Sequence, residues 1–98
     1  MRLDKYLKVT RIVKRRNLAQ QLCNGGHVKK NGRTAKPSTN VDVGDIIEVN
    51  YGSRKIVVEV TGLAESADKK TAPSLYKNLS STDVSNISDA EALEPDYL

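Results

Sequence analysis

Phe and Trp are absent from this 98-residue chain, and Cys, His and Met each occur once. The core therefore has to come from Leu, Val, Ile, Ala and parts of four Tyr, each fully buried Leu or Val contributing about 1.5–3 kcal/mol. A chain of this size forms one small domain with too little interior left over for a deep catalytic pocket. Cys23 alone excludes an internal disulfide. With only His27 beside it, there is no clustered Cys/His set to hold a structural zinc, and no metal or other cofactor is expected. No stretch approaches the roughly 18 consecutive apolar residues of a membrane span. The charged start from Arg2 onward lacks a signal-peptide core, so a cytoplasmic, unanchored protein is expected.

Acidic residues are also scarce where basic ones are dense. Residues 1–36 hold eleven of the sixteen Lys and Arg but only one acid, Asp4, and sum to +10. Residues 37–77 sum to −1 and residues 78–98 to −5, so the net +4 conceals a strongly basic front end. Unpaired like charges repel one another. Their clustering fits a polyanion better than a merely solvated surface and directs attention to nucleic acid.

Leu3, Tyr6 and Leu7 recur at helical spacing, with Asp4 at the positive end of the helix dipole, predicting a helix over about 3–9. Leu18, Ala19, Leu22 and Cys23 form the apolar stripe of a second helix, from about 14 or 15 to 24, ended by Asn24-Gly25-Gly26. Its start carries Lys14, Arg15 and Arg16, cations at the unfavourable end of the dipole, and suggests a bound anion there. His27–Lys30 and Arg33–Lys36 flank Asn31-Gly32, a type I′ hairpin signal. Strands over about 46–51 and 54–61 follow, with Ile56, Val58 and Val60 alternating with Lys55, Val57 and Glu59. Beyond Leu63, Leu75, Tyr76 and Leu79 suggest a short amphipathic helix around Ser74–Leu79. From about Ser80 the acidic, poorly apolar tail is expected to be disordered.

The ordered set Met1-Arg2-Leu3-Asp4-Lys5-Tyr6-Leu7, Lys14-Arg15-Arg16, Gly26-His27-Val28, Asn31-Gly32, Lys36-Pro37-Ser38 and Val43-Gly44-Asp45 resembles the S-four RNA-binding domain over about residues 1–63. The resemblance implies an α+β fold with the αL RNA-binding motif: two N-terminal helices packed on a small antiparallel sheet. The expected organisation is a domain over 1–63, an extension with a short helix over 64–79, and the acidic tail over 80–98. Within the family, this opening and the Lys-Arg-Arg start of helix two are similar to small free-standing bacterial members of ribosome-associated quality control. That likeness implies a ribosome-associated partner set of large-subunit rRNA, P-site peptidyl-tRNA and the tRNA-recruiting factor RqcH, acting during alanine tailing of stalled chains. No membrane partner is expected, and the chain is expected to be a monomer.

The candidate RNA-binding residues are Arg2, Asp4, Lys5, Lys8, Arg11, Lys14, Arg15, Arg16, Lys30, Asn31 and Lys36. Arg15 and Arg16 offer planar forks that grip phosphate bidentately, and Arg2, Asp4, Arg15 and Arg16 are the positions matched by the resemblance. Asp4 has several readings open to it: complementing the first turn, pairing with Lys8, orienting an arginine, or accepting from a base or ribose hydroxyl. Strand alternation sends only some of Lys29, Lys30, Arg33 and Lys36 toward RNA. Asn31-Gly32 is chiefly a turn device, Tyr6 is expected in the core, His27 at a strand entry, and Cys23 as a small buried hydrophobe.

No spacing of His, Cys and carboxylates fits nucleophilic or metal chemistry, so a noncatalytic binder is expected. One alternative is a heat-shock factor that binds free large subunits carrying peptidyl-tRNA for recycling. An RNA-modifying enzyme and an adaptor using its acidic tail on a basic protein are the others, and length weighs against the enzyme.

Overall fold

The computed structural model of the chain describes residues 1–51, 54–67 and 70–80. Helix α1, Leu3–Val9, buries Leu3, Asp4, Tyr6 and Leu7, and helix α2, Arg16–Asn24, buries Leu18, Ala19, Leu22 and Cys23. These are the stripes expected from 3.6-residue periodicity. α1 ends at Thr10, whose hydroxyl donates to Tyr6 O at 2.7 Å. Arg11 then takes a left-handed φ of 60°, a conformation costing a non-glycine residue about 1–2 kcal/mol. α2 closes on Gly25, with Gly26 at φ 79°. The His27 amide donates to Leu22 O at 2.9 Å and the Gly26 amide to Cys23 O at 3.1 Å. This pair of bonds is a Schellman closure, which requires positive φ at Gly26.

Five strands follow: β1 Val28–Lys30, β2 Arg33–Thr34, β3 Ile46–Tyr51, β4 Arg54–Val60 and β5 Tyr76–Asn78. They form one antiparallel sheet in the order β2-β1-β3-β4-β5. Asn31 and Gly32 join β1 to β2 with φ of 51° and 84°, the positive pair a type I′ turn demands. Asn31 also fastens the turn to β3, its Oδ1 accepting from the Ile46 amide at 2.8 Å and its own amide donating to Ile46 O at 2.7 Å. Register places Val28 opposite Val49 and Val49 opposite Ile56. Val28, Ile47, Val49, Ile56, Val58 and Val60 thus present one continuous apolar face to the two helices.

Three sequence expectations need correction. The second helix begins at Arg16, not 14 or 15: Arg15 is its extended N-cap, with φ −128° and ψ 144°, so Lys14 and Arg15 precede the first turn. β2 stops at Thr34: the Ala35 amide makes one further bond to Val28 O at 2.9 Å, and Pro37 has no N–H with which to continue a ladder. The segment expected as a helix around Ser74–Leu79 contains only the end of a 3-10 turn, Ala72–Leu75, followed by β5. Pro73 suits the start of that turn. Tyr76 then pairs with Val60 and Lys77 with Glu59, since an open sheet edge satisfies three residues' backbone better than an isolated helical turn. The segment is held from inside as well, by Tyr6 Oη donating to Leu75 O at 2.8 Å. Of the acidic tail expected over 80–98, all but Ser80 lies outside the described residues.

Candidate nucleic-acid interface

The start of α1 is fixed by the loop that follows β2. The Leu3 amide donates to Thr39 O at 2.8 Å and the Asp4 amide to Pro37 O at 3.1 Å, while Arg2 bridges to Asn40. Lys36 caps the same loop, its amide donating to Thr39 Oγ1 at 2.9 Å. These bonds place Arg2 at the N-cap of α1, across from the first turn of α2.

Asp4 lies between the two helices and is fully buried. Arg2 reaches it with two nitrogens, Nε to Oδ1 and Nη2 to Oδ2, each at 3.3 Å. Arg16 does the same from α2, with Nε 3.3 Å from Oδ2 and Nη2 3.4 Å from Oδ1. Gln20 donates to Oδ2 at 2.9 Å, and the Lys5 amide to Oδ1 at 2.7 Å. Burial alone would raise the pKa of this carboxyl. The bonds from Gln20 and Arg16, the charge of Arg16 and the Lys5 amide outweigh it and hold the group below its ordinary value. Asp4 therefore stays ionised and presents no surface of its own, and its contacts with Arg2 and Arg16 accord with a residue that orients arginines, while its place in the first turn of α1 also complements the helix dipole.

The two guanidinia remain 52% and 45% exposed on the side chain. Each is held on Asp4 through Nε and Nη2, which leaves its other N–H donors available as a planar fork suited to anions. Arg16 continues into a groove of about 280 Å³ whose walls also carry Lys5, Lys8, Arg11 and Glu65. Lys5 Nζ is paired with Glu65, whose carboxyl is kept below its usual range by that hydrogen bond and charge. Lys8 and Lys14 are exposed and meet no carboxylate among the described residues. Arg15 is exposed beside them.

The hairpin cations are placed differently. Lys30 is turned back into the fold, donating to Asn40 O at 2.8 Å and sitting 3.7 Å from Asp45. Lys29 shares Glu48 with Lys55, at 4.0 and 3.5 Å, on the opposite face of the sheet. Asn31 donates to Asp45 Oδ1 at 3.2 Å, so its side chain serves the turn. Of the predicted residues, the structure thus gathers Arg2, Asp4 and Arg16 at one point and Lys5, Lys8 and Arg11 around the adjoining groove, with Lys36 on the supporting loop. Lys30 and Asn31 are engaged elsewhere.

Gln20 and Glu65 were missed. Gln20 carries a recoverable signal, standing four residues after Arg16 on the same helical face. Glu65 carries none, since only the tertiary fold brings it to Lys5. Cys23 is buried, and burial first, then the charge of Asp4, pushes its thiol up to about 12. Among the described residues, no helix is long and apolar enough to cross a membrane.

Comparison with known proteins places the chain among RNA-binding and ribosome-associated relatives. The S4 domain profile matches residues 1–47. The RQC P-site tRNA stabilizing factor of Streptococcus pneumoniae is 43% identical over 84 residues, covering 86% of this chain and 96% of that protein. Its Bacillus subtilis counterpart is 41% identical over 76 residues, covering 78% and 88%. Heat Shock Protein 15 of Vibrio cholerae, solved as a trimer, superposes with a TM-score of 0.75 at 33% identity over 80% of each chain. At this identity, and with most of both chains covered, the chain belongs to the S4-domain family of RQC P-site tRNA stabilizing factors.

Proposed function

We propose that this protein is a noncatalytic RNA-binding factor of ribosome-associated quality control. It binds rRNA and P-site peptidyl-tRNA on obstructed large ribosomal subunits in the cytoplasm, as a monomer, and supports RqcH-dependent alanine tailing of the stalled chain. The observation that carries this reading is the pair of half-exposed guanidinia locked on one buried carboxylate. Two forks already fixed in place lose little side-chain freedom on meeting phosphate, and every phosphate neutralised releases counterions. The names of the relatives supply the cellular setting. RNA binding is assigned to residues 1–63 with Arg2, Lys5, Lys8, Arg11 and Arg16 at its centre, Asp4 acting through the arginines it orients, and Lys14, Arg15 and Lys36 at its margin.

A second reading, recycling of free large subunits after heat shock, draws on the fold shared with the Vibrio cholerae protein. Affinity capture of the tagged chain from cells with stalled translation separates the two. Recovery of large subunits together with RqcH and alanine-tailed chains supports the first reading. Large subunits with peptidyl-tRNA but without RqcH or alanine tails support the second, and recovery of no ribosomal RNA overturns both.

A further inference from the structure

The groove beside Arg16 holds a carboxylate where its surroundings call for an anion. Lys5, Lys8, Arg11 and Arg16 contribute four cations to its walls, and the acid among its lining residues is Glu65, paired with Lys5. The Glu65 side chain is 85% exposed. An ion pair this open to water adds little to folding, so the fold does not depend on the carboxylate standing there. Arg11 points to the same conclusion from the backbone. It occupies a left-handed position at the end of α1, with φ of 60°, that glycine would fill without strain. There its guanidinium extends along the groove to Ala67 O at 3.5 Å. Strain kept at an exposed turn for the sake of a cation is explained by a ligand of that cation.

We infer that this groove is a phosphate subsite adjoining the Arg2–Arg16 pair, and that Glu65 is its resident competitor, displaced from Lys5 when an RNA backbone phosphate enters. The inference rests on the RNA-binding reading above. In the free protein, Glu65 neutralises Lys5 and sets a threshold that weak, nonspecific polyanions fail to cross. An RNA that already engages Arg2 and Arg16 brings its next phosphate to the groove at high effective concentration, and there it replaces the carboxylate.

The test is binding of a short labelled RNA stem-loop and of intact large subunits over a salt series. Glu65→Gln is expected to tighten both about threefold to tenfold while leaving the log-log salt slope close to that of wild type, because Lys5 meets the phosphate in both complexes and only the competing carboxylate is removed. Glu59→Gln changes net charge equally but lies on β4 away from the groove, and is expected to move affinity less than twofold. Arg11→Gly keeps the turn's backbone geometry and removes the cation, so it should weaken binding severalfold without loss of thermal stability. If Glu65→Gln and Glu59→Gln tighten binding alike, or neither does, while Arg2→Ala/Arg16→Ala weakens it, the groove inference is overturned and the RNA-binding face stands. If Arg2→Ala/Arg16→Ala also binds as wild type does, the RNA-binding reading itself fails.

Discussion

Arg16 Nε lies 3.3 Å from Oδ2 of Asp4, a carboxylate twelve positions earlier in the chain that has no exposed surface. Because Arg2 grips the same carboxylate from the N-cap of α1, one buried charge fixes two guanidinia on two different elements. Asp4 is thus both a fastener between helices and the device that aims the cationic face.

Replacing Asp4 by Asn should weaken both roles. Loss of the charge-assisted bonds is expected to cost about 1.5–3 kcal/mol, read by denaturant unfolding. RNA affinity should fall in parallel under conditions where the variant is fully folded, because the arginines lose their common anchor.

Acid should expose the same linkage. The folded-state pKa of Asp4 lies below its ordinary 3.8, so the stability it contributes is fully present above the ordinary value and is lost as pH falls through the depressed one. Unfolding free energy measured from pH 6 downward should decline more steeply below about pH 4 in wild type than in Asp4→Asn.

Cys23 should be inert in the native state. With its thiol pushed up to about 12 by burial and by the Asp4 charge, the thiolate fraction at pH 8 is about one in ten thousand. Labelling by an aromatic disulfide reagent is expected to follow the rate of protein opening and to become fast in denaturant.

Tyr6→Phe should loosen the 72–78 segment with little effect on the rest. The bond to Leu75 O at 2.8 Å is removed, at a cost of about 0.5–1.5 kcal/mol. That carbonyl still accepts from the Thr61 and Gly62 amides, which places the cost at the low end. Faster amide exchange in β5 and unchanged exchange in α2 would show it.

Much of this arrangement is legible in the sequence. The stripes of α1 and α2 follow from Leu3-Tyr6-Leu7 and Leu18-Ala19-Leu22 because both helices bury one face, and Asn31-Gly32 names its turn because few residues accept two positive φ angles. Less local features are not. Asp4 has several readings because its partners, Arg16 and Gln20, arrive only when α2 packs on α1. Leu75, Tyr76 and Leu79 fit a helical face, but the free edge of β4 claims Tyr76–Asn78 as a strand. Lys30 looks like its basic neighbours until the fold supplies Asn40 O and Asp45.

The central claim is that the Asp4-anchored arginines grip the RNA, and the salt dependence of large-subunit binding tests it most directly. For Arg2→Ala/Arg16→Ala, affinity should fall and the slope of log K against log salt should become shallower by about 0.7 to 1 for each phosphate that is no longer neutralised. A doubly substituted protein that remains folded and binds large subunits with wild-type affinity and slope across the series would contradict the account.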